Sequence, residues 1–248
     1  MRRLYFVCLW ACVFSLQATP IPPAKPLHLS TREWKEVNPY LLPHSHPLHH
    51  QLDEIFAPTR FLSSWNTLER LGFHRFGFSN ATSQIIVAEH PTLKNYLIKA
   101  YTDESPLDGK KLLLSRIRGA KLIAKKIAKS GLNNQFTVPK KWLYRLPHAS
   151  PRTKQPYLLI VEKMDILPPE AWKQSALITP ELLVHLFQLT TKLGLADSCQ
   201  VLNIPFTADG KIAFIDTEHV CNWPVAYHKL TPFLSPANQL HWQDICSR

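Results

Sequence analysis

Two short apolar runs, 204–207 and 211–215, flank the pair Asp209-Gly210. Glycine tolerates the positive φ that a tight turn needs, so this pattern predicts a hairpin. An apolar helix leads in over 179–195, started by Thr179-Pro180-Glu181: threonine can cap a helix and proline suits its first turn. A polar loop carrying Asp197 and Asn203 joins helix to hairpin, and the second strand ends on Asp216. The hairpin therefore brings Asn203 and Asp216 to one end. An amide oxygen and a carboxylate at one point are hard-cation ligands of the kind that hold Mg²⁺ on a nucleotide phosphate. A hairpin with ordinary polar ends has the same pattern.

At the N-terminus Arg2-Arg3 precedes an apolar run over 4–16, and Gln17-Ala18-Thr19-Pro20 follows. This is the layout of a secretory signal peptide, with cleavage after Ala18. The run is short for a membrane span of roughly 20 residues, and no later stretch is apolar enough to cross, so no span is expected after cleavage. Three cysteines then remain, Cys199, Cys221 and Cys246, an odd number that excludes a disulfide scaffold. The net charge of +11 admits nucleic acid, anionic lipid or phosphate-bearing ligands as partners. Its scatter, without zinc-finger spacing or aromatic-interleaved basic segments, speaks against nucleic acid.

Residues 19–50 are rich in Pro and His and read as an extended leader, with the histidines 44, 46, 49 and 50 solvated. Apolar spacing over 51–72 predicts two short helices broken at Pro58. Three antiparallel strands follow over 73–102, the third being Tyr96-Leu97-Ile98-Lys99-Ala100-Tyr101, with Lys99 inside an apolar strand. Asn80-Ala81-Thr82 is a glycosylation sequon. Residues 107–131 form a basic amphipathic helix ended by Ser130-Gly131. Residues 136–146 and 157–163 supply two more strands, and 164–170 is a linker ending in Pro168-Pro169. The thirty-odd residues after Asp216 form one or two short helices.

This order, three strands with a lysine in the third, a helix, two strands, a linker, a helix, an Asp…Asn loop and a hairpin ending in Asp, resembles the protein-kinase-like fold over residues 73–219. The resemblance implies that Lys99 holds nucleotide α/β-phosphates. It implies that backbone groups near Glu162 and Met164, in Ile160-Val161-Glu162-Lys163-Met164, meet adenine. Asp197 corresponds to the catalytic base that accepts a hydroxyl proton, Asn203 to the loop residue on metal, and Asp216 to the aspartate holding Mg²⁺. The sequence departs from the family pattern in several places, three of them in named motifs. Gly77 is the one glycine of residues 73–84, where a Gly-rich loop belongs; no Glu occurs in helix 107–131 to pair with Lys99; and Thr217-Glu218 stand where Phe-Gly is usual.

The expected fold is thus α+β and kinase-like: a five-stranded antiparallel N-lobe sheet with one helix, and a short, mostly helical C-lobe. The expected division is a signal peptide over 1–18, a leader over 19–50, helices and N-lobe over 51–163 and a reduced C-lobe over 164–248. The expected protein is exported, to a periplasm or the extracellular space, and binds ATP and Mg²⁺. An active enzyme would transfer phosphate to a hydroxyl of a protein or small-molecule acceptor. The alternatives are a non-catalytic kinase-like binding module and a secreted α+β protein whose likeness is accidental. An enzyme brings Lys99, Asp197, Asn203 and Asp216 to one cleft. An accidental likeness leaves Lys99 in solvent, far from Asp216.

Overall fold

The computed structural model describes residues 29–77, 84–174 and 176–247. The signal-peptide segment and the Asn80 sequon lie outside them. The centre of the molecule is a five-stranded, wholly antiparallel sheet in the order β1-β2-β3-β6-β5. Its strands are β1 (His74–Arg75), β2 (Ile86–Glu89), β3 (Tyr96–Ala100), β5 (Lys141–Arg145) and β6 (Tyr157–Glu162). The β-branched and aromatic content of these runs suits a pleated surface packed on both sides.

Side chains alternate across the sheet, so register decides which residues share a face. Lys99 pairs with Leu159, which pairs with Leu143; two residues along, Leu97 pairs with Val161, which pairs with Lys141. Lys99, Leu143, Leu159, Val161 and Lys141 therefore share one face. Helix α4 (Gly109–Lys129) covers it, burying Leu113, Leu114 and Ile117 against Leu143, Tyr157, Leu159 and Val161. Asp108 caps α4, its carboxylate accepting from the Lys111 N–H at 3.0 Å.

The opposite face is closed by helices α2 (Pro47–Phe56) and α3 (Trp65–Arg70). Leu48, Leu52, Phe56, Leu62 and Leu68 pack there on Ala88, Ile98, Tyr144 and Ile160. The segment read as an extended leader is structured from residue 31 onward. Helix α1 (Thr31–Val37) has Ser30 accepting from the Glu33 N–H at 3.1 Å, a 3₁₀ turn spans Asn38–Tyr40, and α2 begins at Pro47. The physical reason is burial: Val37, Leu42 and Leu48 are apolar residues between the prolines and enter the core. Proline at N1 or N2 favours these helix starts. Leu42 also donates its N–H to Leu143 O at 2.7 Å, so this segment covers the free edge of β5.

The run 136–146 is two strands rather than one. Pro139 lacks a ladder donor, and before it β4 (Phe136–Thr137) leaves the sheet to pair in parallel with β7 (Ile212–Ala213). Past β6 the chain is mainly helical: α5 (Pro180–Leu193) and α6 (Pro236–Ser247), with 3₁₀ turns at Pro169–Lys173, Tyr227–Lys229 and Thr231–Phe233. Helix α5 is capped by Thr179 and ended by Gly194 at φ +55°. Its buried Leu182, Leu183, Leu186 and Leu189 share a core with Trp172, Phe206, Phe214 and Trp242. Among the described residues no helix is long and apolar enough to cross a membrane.

Candidate functional site

The hairpin 203–216 is closed by four backbone bonds. Thr207 donates to Lys211 at 2.8 Å, Gly210 to Thr207 at 2.9 Å, Ala213 to Pro205 at 2.9 Å and Ile215 to Asn203 at 3.0 Å. Gly210, at φ +80°, supplies the turn. Asn203 therefore lies across from Ile215, one residue before Asp216. The Asn203 amide also donates to the Asp197 carbonyl at 3.0 Å, tying the polar loop to the hairpin end.

Beyond the hairpin, residues 215–218 run across α4. Ser115 Oγ donates to Glu218 O at 3.0 Å, and Thr217 Oγ1 donates to Arg116 O at 2.6 Å. From the sheet, Lys141 Nζ donates to Ile215 O at 3.0 Å and Thr217 Oγ1 at 2.7 Å. The approach depends on Gly119, where a Cβ would stand 2.0 Å from Thr217 O.

These contacts assemble five charged side chains between sheet and helix. Arg116 projects from α4 and bridges both acids: Nη1 pairs with Asp216 Oδ1 and Nη2 with Glu218 Oε2. The Arg116 side chain is 6% exposed, Glu218 15% and Asp216 35%, so the cluster is sealed on the arginine side and open at Asp216. Lys141 is buried and Lys99 partly exposed. Burial lowers the Lys99 ammonium below the usual lysine range, against the raising pull of Asp216. Lys141 lies well below that range, through burial first and then the charge of Lys99. Burial pushes the Asp216 carboxyl up, but Lys99, Arg116 and Lys141 together outweigh it and hold its pKa below the usual value.

Lys99 is therefore within electrostatic reach of Asp216. The Asp197 carboxylate meets Lys229 Nζ at 3.2 Å and His219 Nε2 at 3.5 Å. At the end of β6, the Glu162 N–H is taken up by Lys140 O at 3.0 Å, and Met164 makes no backbone hydrogen bond among the described residues. A cavity of about 450 Å³ lies elsewhere, lined by Lys126, His185, Phe187 and Lys192. None of the five clustered charged residues lines it.

The Arg116 guanidinium takes one oxygen of each carboxylate, so the two acids are already bridged by a cation. Among the described residues no group of three His, Cys, Asp or Glu is placed to hold a metal. Cys199, Cys221 and Cys246 are all free thiols.

Sequence reasoning missed Arg116, Lys141 and Gly119. Two of them carried a signal. Arg116 falls within the apolar stripe Leu113, Ile117, Ala120, and Lys141 alternates with buried Leu143. A charge at a core position calls for partners.

No protein-family model matches the chain, and no curated protein does. A solved chain from the complex structure of Rv3197-erythromycin from Mycobacterium tuberculosis is similar to it at 14% identity, with a TM-score of 0.36. The match covers 75% of this chain and 63% of that one, so the chain spans under two thirds of its length.

Proposed function

We propose that this protein is a kinase-like module that binds the phosphates of a nucleotide such as ATP without transferring them. The observation that carries the reading is the bridge from Arg116 to Asp216 and Glu218. Lys99 and Asp216, which the kinase resemblance pairs across the phosphates, lie in one cluster. The Asn203 and Asp197 loop joins the same hairpin end. The backbone of Met164, which makes no hydrogen bond among the described residues, suits an adenine edge. Phosphoryl transfer asks more: metal carboxylates open to a divalent ion, and a base free to accept a proton. Here the acids bind an arginine, and Asp197 pairs with Lys229 and His219.

One feature favours an active phosphotransferase as the second reading. Asp197 is 42% exposed, so its carboxylate is open to an incoming hydroxyl of a protein or small-molecule acceptor. The test is thermal unfolding of the full chain with ATP, alone and with Mg²⁺, beside an assay for ADP release. Binding to the folded state raises the unfolding free energy by mass action, by about 2.7 kcal/mol at a hundredfold excess over Kd, and the midpoint with it. A raised midpoint without ADP release supports the binding module. ADP release that vanishes in Asp197→Asn supports the enzyme, and an unmoved midpoint at millimolar ATP sinks both.

A further inference from the structure

We infer that the cluster of Lys99, Arg116, Lys141, Asp216 and Glu218 is a metal-independent site for a polyphosphate anion, in which Arg116 does the bridging a divalent cation would do. The inference rests on the nucleotide-binding reading and deepens it by naming how the phosphates are held.

The charge count comes first. Two carboxylates alone would attract a divalent ion. With Arg116 bridging them and Lys99 beside them, the two carboxylates already have cationic partners, and Lys141 adds positive charge to the extent that it is protonated. Such a site favours an added anion over an added metal. The second point is which cation is free. Arg116 is committed to the two acids, and Lys141 to Ile215 O and Thr217 Oγ1. Lys99 has no hydrogen bond and no ion pair among the described residues, and it is partly exposed. An ammonium with no protein acceptor can take a phosphate oxygen as its partner.

The third point is the helix. In the kinase resemblance an acid on this helix neutralises the strand lysine. Here the helix carries Arg116, and the acid, Glu218, sits after the hairpin and is bound by that arginine. The exchange leaves Lys99 without a dedicated counter-ion and fixes both acids without metal. Arginine suits the position, since its planar fork reaches two carboxylates at once, as lysine cannot.

The experiment is calorimetric titration of the full chain with ATP and, separately, with pyrophosphate, each in EDTA and in excess Mg²⁺. The expected ATP affinity in EDTA lies within about threefold of that in Mg²⁺. Binding weakened about tenfold or more by EDTA overturns the inference and leaves the nucleotide-binding reading standing. Absence of binding in both media overturns both. Pyrophosphate binding in EDTA supports the polyphosphate site, and ATP binding about tenfold tighter than pyrophosphate assigns the remaining contact to the nucleoside. Lys99→Met is expected to weaken binding in EDTA at least about tenfold; unchanged binding in this variant overturns the inference. Arg116→Gln frees the acids and is expected to make binding depend on Mg²⁺. Should that variant not fold, Lys99→Met, which breaks no hydrogen bond or close ion pair among the described residues, still decides.

Discussion

Both faces of the central sheet bury apolar side chains, but only the one toward α4 also carries a charged cluster. Toward α2 and α3 the face is apolar: Phe56 stacks on Phe73 at 5.5 Å between ring centroids and meets Tyr144 at 5.8 Å, with Phe56 and Phe73 fully buried. Toward α4 the same strands present Lys99 and Lys141, and the helix answers with Arg116. The first face stabilises the fold through area removed from water and close packing. The second holds charges in a poorly solvated place, where an ion pair seldom adds net stability over a well-packed apolar substitute. A chain selected for stability alone would have carried the apolar pattern on both faces. The contrast is therefore the structural argument for a ligand at the charged one, and perturbing each face in turn tests it.

The largest expected effect is on the apolar face. Phe56→Ala leaves a cavity beneath α2 and is expected to cost about 3–5 kcal/mol of unfolding free energy in urea titration. ATP affinity of the fraction that remains folded should be unchanged, and a parallel loss of affinity would show that the faces are coupled. On the charged face, Arg116→Met strands Asp216 and Glu218. The expected cost is about 3 kcal/mol, at the low end for breaking a buried pair because Asp216 is 35% exposed. The distinguishing variant is the triple substitution Arg116→Met, Asp216→Asn, Glu218→Gln. It should recover most of that loss while binding no nucleotide. Failure to recover would mean that the cluster itself holds the fold together.

The two faces also differed in how far the sequence revealed them. Strand existence, the span of α4, the Thr179 start of α5 and the hairpin turn at Gly210 followed from periodicity and turn chemistry. These are local properties. The helical character of residues 31–50 did not follow, because prolines and histidines masked three apolar residues whose burial depends on a sheet formed a hundred residues later. The split at Pro139 was readable, but the parallel partner of β4 was not, since Ile212 is reached only through tertiary folding. In the site, Lys99, Asn203, Asp197 and Asp216 could be named from their order along the chain. Arg116 could not, because the kinase resemblance directs attention to a missing glutamate and gives no reason to look for a cation. Only its place in the apolar stripe distinguishes it from the other basic residues of α4.

A smaller effect tests how closely the charged face must be approached. At Gly119 a methyl group would meet the backbone carbonyl of Thr217, which also carries the strap from Ile215 to Glu218. Gly119→Ala gains helix propensity of about 1 kcal/mol at an ordinary position. Here overpacking should reverse the sign, to a net loss of about 1–3 kcal/mol in the same urea titration. Because the strap carries Asp216 and Glu218, nucleotide binding should fall with it. A stabilised Gly119→Ala protein would mean that the strap yields easily and that its distance from α4 is not what sets the site.

The smallest effect is a pH slope. The Lys141 ammonium lies well below the usual lysine range, pushed there by burial and then by Lys99, whereas in the unfolded chain it titrates near about 10.4. Between those two values the unfolded state binds more protons than the folded one, so unfolding free energy rises with pH. Lys99, also lowered by burial, acts in the same direction. Other groups limit the window. His90, likewise lowered by burial, contributes a rise that is over by about pH 7. The thiols of Cys199 and Cys246, pushed by burial up to about 12 and about 11, keep protons that the unfolded chain loses. They oppose the rise above about pH 8. Asp216 is held low, and its contribution is lost only as acid carries the pH down through its folded pKa. Between its folded and unfolded pKa values each lysine thus adds at most about 1.4 kcal/mol of stability per pH unit, a rise read free of the thiols' opposition below about pH 8. Lys141→Met should flatten the slope by the share due to Lys141, measured as the difference between the two urea titrations so that the other groups cancel. An identical slope in both proteins would mean that Lys141 carries its proton across this range, and the charged face would then hold its full excess of positive charge before any anion arrives.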